Sequence, residues 1–192
     1  MGGKSMKMTK RLLAVVLAGV LALGVLTGCG DSSAFGKDMY DAFLKIHPQA
    51  AGQTQHSEKI DRRAEAVLKA IDNEVKKEDS GVTWENAIRK ENGTLMSGRG
   101  FVGRDNPIEK AFFSGNKPSG EYAVQIGLTE VTVDDPEAII CMIVDQKNEN
   151  VGLVMVGDGG INARKTQMEM GAAKYKASNG KTYAVFISMT AE

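Results

Sequence analysis

The first thirty residues constrain this chain more than any later stretch. Lys4, Lys7, Lys10 and Arg11 form a basic head, and no acid occurs before Asp31. An apolar run follows from Leu12 to Leu26, interrupted only by Gly19 and Gly24. A basic head followed by an apolar run has the form of an export signal. The run is about 15 residues, shorter than the roughly 20 that cross a bilayer as a helix. It is therefore expected to direct export and to take no part in the fold.

The run closes on Leu26-Thr27-Gly28-Cys29. This resembles the lipobox of bacterial lipoproteins: an apolar residue, a small one, Gly or Ala, then Cys. The resemblance implies cleavage before Cys29, lipid on its sulfur and acylation of the new amino terminus. Several buried acyl chains anchor far better than one. The expected divisions are a signal peptide over 1–28, a lipidated tether over 29–36 and a folded domain over 37–192. The expected location is the outer face of the cytoplasmic membrane, or the outer membrane in a two-membrane envelope.

Removing the 28 residues ahead of Cys29 leaves 164 of the 192, and 20 of the 24 bases against all 24 acids. Such a mildly acidic domain has no basic field for nucleic acid or for anionic lipid, so the partners expected are a membrane held through Cys29 and an extracellular ligand or protein. Two cysteines exclude a disulfide-rich scaffold and a four-thiolate zinc site.

Gly30 to Gly36 reads as the flexible tether. Met39, Tyr40, Phe43, Leu44 and Ile46 have near-helical spacing and predict a helix from Lys37 that stops before Pro48. Ser57 is placed to cap a long helix with the stripe Ile60, Ala64, Val67, Leu68, Ile71 and Val75, its charged residues on the other face. Trp84, Ala87 and Ile88 suggest a short helix from about Thr83, with Trp84 in the core. Asn106-Pro107 marks a cap and a first helical proline, with Gly115 placed to end that helix. Tyr122, Val124, Ile126 and Leu128 alternate as one strand face.

Asp134 or Asp135 is expected to cap a helix that starts at Pro136, apolar nearly all round and hence buried, with Cys141 inside it as a small core residue. Val151 to Val156 reads as a strand. Met168–Tyr175 and Thr182–Met189 flank Ser178-Asn179-Gly180, a hairpin signal because Asn and Gly tolerate positive φ. Tyr183, Val185 and Ile187 against Ala184 and Phe186 give that strand two apolar faces, hence cover on both sides. The expected fold is α+β, a three-layer α-β-α sandwich with a C-terminal β-hairpin.

The stretch from Gln167 to Ser188 resembles the end of bacterial CAP domains, the SCP-like, pathogenesis-related-1 superfamily. Pro136 to Met142 resembles the helix before that family's His-Arg-x-Asn-Ile-Leu motif. Gly120-Glu121-Tyr122-Ala123 stands where the family has Gly-Glu-Asn-Ile-Ala, and the helix after Ser57 matches its early amphipathic helix. The resemblance spans about 37–192 and implies the same three-layer sandwich. It also implies a central cleft with two His and acidic residues, often able to bind a divalent metal. Here the sequence departs. Asn148 takes the place of one His, the other is absent, and 10 to 15 extra residues fall near Gly157–Lys165. Glu121 is the one cleft acid carried over.

The candidate cleft is thus Glu121 and Asn148, with no catalytic residue, metal or cofactor assigned. His47 and His56, nine apart across a loop, read as exposed loop histidines. No Gly-x-Ser-x-Gly elbow is present. Gly157-Asp158-Gly159-Gly160 lacks the phosphate-cradling lysine and reads as a turn. Glu85, Glu91 and Asp105 read as solvated surface. The expected function is a membrane-anchored binding or interaction module. The rivals are an envelope hydrolase using carboxylates around Glu121, and a small-ligand-binding or adhesin-like lipoprotein of another α+β fold.

Overall fold

A computed structural model describes residues 32–88, 96–97, 100–101, 106–114, 122–144, 151–156 and 167–190. Its order is α1 (Ser32–Ile46), a 3-10 turn (Pro48–Ala50), β1 (Thr54–His56), α2 (Glu58–Val75), β2 (Met96–Ser97), β3 (Gly100–Phe101), α3 (Pro107–Phe113), β4 (Tyr122–Glu130), α4 (Pro136–Val144), β5 (Val151–Val156), β6 (Met168–Lys176) and β7 (Thr182–Thr190). The chain is α+β.

The main sheet has five strands in the order β1-β6-β7-β4-β5, and β2 pairs with β3 alone. Four of the five strands form an antiparallel unit, while β1 joins β6 in parallel at the edge. Alternation sorts β7 between two cores. Tyr183, Val185, Ile187 and Met189 join the α2 stripe and Ile108, Phe112 and Phe113 of α3. Ala184 and Phe186 join Met39 and Tyr40 of α1 and Ile139, Ile140 and Ile143 of α4. Helices therefore cover both faces, as the two apolar faces of β7 require.

The hairpin forms where the sequence places it, but its turn is different. Gly180 N–H donates to Ala177 O at 3.0 Å, and Ala177 N–H donates to Lys181 O at 2.8 Å. Gly180 has φ 83° and is the residue of this turn with positive φ. Asn179 instead accepts from Lys181 N–H at 3.0 Å and donates to the Tyr183 hydroxyl at 3.1 Å. It works through its side chain, as Asn commonly does in turns.

Several local expectations are corrected. The first helix starts at Ser32, so Phe35 and Gly36 belong to it and the stretch read as tether is helical from that residue. Phe35 packs against the α1–α4 core, which is what extends the helix backwards. Residues 84–88 form a turn, not a helix. The Asn86 side chain accepts from Thr83 N–H at 2.7 Å and donates to Gly81 O at 3.1 Å, in competition with helical bonding. Asn106 caps α3, accepting from the N–H groups of Ile108 and Glu109. The left-handed residue that ends α3 is Ser114, at φ 48°, and Gly115 lies outside the described residues. Ser57 stands at the N-cap of α2 without a side-chain cap bond. Asp135 Oδ1 accepts from Glu137 N–H at the start of α4.

Cys141 is exposed, not a core residue. Helix α4 is nine residues long and buries Ile139, Ile140 and Ile143, a spacing that turns Cys141 and Val144 outward. A nearly all-apolar sequence does not force burial on a short helix with one covered side.

Candidate functional site

The residues assigned to function by sequence, Cys29, Glu121 and Asn148, lie outside the described residues, as do Glu91, Asp105 and Gly157–Gly160. Glu85 is exposed as expected, and Trp84 is buried, its ring stacked on Tyr183 at 3.9 Å between centroids and 7° between planes. The structure brings together a different set of polar side chains, most of them on α2, whose charges had been assigned to the solvent face. Asp61, Arg63 and Asp72 are all buried.

The tightest group is built around Asp61, in the first turn of α2. Its Oδ2 lies 2.8 Å from His56 Nε2, and its Oδ1 accepts from Ala172 N–H of β6 at 2.9 Å. The side-chain exposures are 15% for His56 and 1% for Asp61, so His56 is no exposed loop residue. It ends β1, and the next residue, Ser57, donates its N–H to Met170 O at 2.8 Å. Parallel pairing of β1 with β6 therefore places the ring over the start of α2. Tyr40 of α1 fixes the same strand from the other side: its hydroxyl donates to Thr54 O at 2.9 Å.

Two glycines make room for the carboxylate. A side chain on Gly36 of α1 would overlap the Asp61 carboxylate. A Cβ on Gly171 of β6 would fall 2.6 Å from Asp61 Oδ1 and 2.7 Å from its backbone nitrogen. Asp61 is thus held where α1, β1, α2 and β6 converge at the sheet edge. Burial pushes its carboxyl above the ordinary carboxylate range, against the Ala172 N–H and the His56 ring, which favour the ionised form. Among the described residues, no hydroxyl or thiol is hydrogen-bonded to His56. The arrangement orients an imidazole and locks an edge strand to the sheet.

His47 is half-buried, with its ring 5.0 Å from that of Phe43. It does not join His56, and the described residues contain no group of three or more His, Cys, Asp or Glu able to hold a metal.

Arg63 and Asp72 act in the same structural sense. The Arg63 guanidinium lies 5.0 Å from the Phe112 ring centroid and 5.7 Å from that of Phe113, and donates to Met189 Sδ at 3.1 Å. It ties α2 to α3 by cation–π contact. Asp72 Oδ1 accepts from Ser178 N–H at 3.0 Å and Ser178 Oγ at 2.8 Å, and its Oδ2 meets Tyr175 Oη at 3.3 Å and Lys76 Nζ at 2.6 Å. Burial alone would raise this carboxyl, but the Lys76 ammonium and the two Ser178 donors outweigh it and hold the group below its ordinary value. Asp72 fastens the hairpin turn to the end of α2.

Sequence reasoning missed Asp72 because its i, i+4 partner Lys76 makes a buried Asp look like half of a surface pair, whereas Asp61 and Arg63 have no oppositely charged residue three or four positions away. The one available signal was position. Asp61 directly follows Ile60, and Asp72 directly follows Ile71, so each borders the apolar stripe. Comparison of the chain with protein-family profiles, curated proteins and solved structures gives no match.

Proposed function

We propose that the chain is a bacterial lipoprotein, anchored through Cys29 outside the cytoplasmic membrane. Its folded part is a divergent CAP-like domain that serves as a binding or interaction module for an extracellular ligand or protein. The observation that carries this reading is the succession of basic head, apolar run and Leu26-Thr27-Gly28-Cys29. The CAP-like assignment has the support of a largely antiparallel sheet with helices on both faces and a hairpin at Met168–Thr190. The role as a module rests on how the buried charged groups are used. Asp61, Arg63 and Asp72 each join secondary-structure elements to one another.

The test is metabolic labelling with radioactive palmitate in a bacterial host. The wild-type chain takes up label and sediments with membranes, and Cys29→Ala does neither. An unlabelled wild-type chain would sink the anchor. Release of soluble fragments from isolated cell walls by purified 29–192, lost in Glu121→Gln, would make the domain a hydrolase instead.

A further inference from the structure

The β6–β7 turn is closed by Asn179 and Gly180, and the residues that suit the turn also suit a reaction. Gly180 stands at φ 83°, a conformation that favours glycine. It has no Cβ to shield its backbone nitrogen, and the carboxamide of Asn179 precedes it. Attack of the Gly180 nitrogen on Asn179 Cγ forms a C–N bond and a cyclic succinimide. The Nδ2 nitrogen leaves as ammonia, taking the proton of the Gly180 N–H. One water then opens the ring at either carbonyl, giving an aspartyl or an isoaspartyl link. Both residues are exposed, so water reaches them.

In the fold, every atom that must change partners is already bonded. Gly180 N–H donates to Ala177 O at 3.0 Å. Asn179 Nδ2, the leaving group, donates to Tyr183 Oη at 3.1 Å, and Asn179 Oδ1 accepts from Lys181 N–H at 3.0 Å. The surroundings are fixed in turn. Tyr183 is buried and stacked on Trp84. Ser178, just before Asn179, donates to Asp72 through both its N–H and its Oγ. To close the ring, the Gly180 nitrogen must give up Ala177, and the carboxamide must leave Tyr183 and Lys181. The reaction therefore waits on opening of the turn, and its rate follows the fraction of time the turn is open.

We propose that Asn179-Gly180 is a spontaneous deamidation site, consuming only water, which the β6–β7 turn holds shut and whose product releases the turn from α2. An isoaspartyl link puts an extra methylene in the main chain between Ser178 and Gly180. The Ala177–Gly180 bond then no longer fits, and Ser178 is drawn off Asp72. A transient opening becomes a permanent one. The site belongs to the folded domain and is independent of any lipid on Cys29.

The test incubates the full chain in water enriched in heavy oxygen at mildly alkaline pH, folded or in guanidinium chloride. Trypsin then releases residues 177–181, in which Asn179 is the only Asn. Opening of the succinimide puts a solvent oxygen into this peptide, so only deamidation during the incubation is counted. Uptake in the folded chain is expected to be slower than in denaturant by about tenfold or more. Tyr183→Phe removes the partner of Nδ2 and keeps a ring on Trp84, while Asp72→Asn weakens the hold on Ser178. Each should raise the folded rate several-fold and leave the denatured rate unchanged. Asn106→Ala weakens the fold away from the turn and should leave the folded rate near wild type. The modified chain, separated by its added charge, should unfold at lower denaturant. No uptake in denaturant would remove the site. Equal rates folded and denatured, variants at 72 and 183 as slow as wild type, or equal acceleration by Asn106→Ala would overturn the gating by the turn. An unchanged midpoint for the modified chain would overturn the release from α2.

Discussion

Gly36 and Gly171 both face Asp61, but for different reasons, and the difference can be measured. At Gly36 the three atoms nearest an added Cβ all belong to the Asp61 carboxylate, whereas at Gly171 they include the Asp61 nitrogen and the Ile60 carbonyl carbon, both within 3 Å. Gly36→Ala and Gly171→Ala should each cost about 1–3 kcal/mol or somewhat more, the range for overpacking. Asp61→Ala should relieve most of the Gly36→Ala penalty and little of the Gly171→Ala penalty. A denaturant-based double-mutant cycle decides, and equal relief at both glycines would contradict the geometry. Gly52→Ala, with nothing within 4 Å, is the neutral control.

The two buried aspartates of α2 carry opposite pH signs. The fold raises Asp61 above its ordinary 3.8. The native state then binds a proton the unfolded chain has lost, and this contribution to stability falls as pH rises from that value through the raised one. Asp72 is held below the same ordinary value. Its contribution is present above 3.8 and disappears as pH falls through the lowered pKa. Asp72→Asn should therefore cost about 1–3 kcal/mol at neutral pH, with the deficit shrinking in acid. Asp61→Asn should instead gain on the wild type as pH rises above the ordinary carboxylate value. Urea midpoints across the acid range test both signs. Cys141 gives a simpler check. As an exposed thiol it should react with a thiol reagent in the native state about as fast as after unfolding, and strong protection would return it to the core.

At the scale of elements, the sequence was most legible where period and punctuation agree. The α2 stripe, the β4 alternation, the Asn106-Pro107 start and the β6–β7 hairpin all lie where the pattern puts them. Asn106→Ala should cost about 1 kcal/mol, since Ile108 and Glu109 both lose their cap acceptor; a thermal melt without a lower midpoint would refute the cap. Legibility failed where a polar side chain replaced a backbone bond, as Asn86 does, or where tertiary cover decided. Phe35 extends α1 into a glycine-containing stretch because a core awaits it, and Cys141 is exposed because α4 is covered on one side only. Neither fact is local to the sequence around it. Of the residues proposed for function, the cleft pair falls outside the described residues, while the His56–Asp61 pair carries no motif that would announce it.

For the whole molecule, strand order decides which parts hold together longest. β7 is paired on both sides, by β6 and β4, and lies between the two cores. β1 is three residues at the edge. In hydrogen exchange, amides of β7 should be released only by global opening, while those of Thr54–His56 exchange by local fraying. Release of β7 before β1 would contradict the layered core.

The place of β7 also fixes when this sheet can exist at all. Until residues 182–190 emerge from the ribosome, β6 and β4 have no strand to join them, and the two helical layers have no common floor. Without β7 the chain stays threadable while every other described strand of the sheet is made. The strand that commits the domain to its shape is made after every other described strand of the sheet.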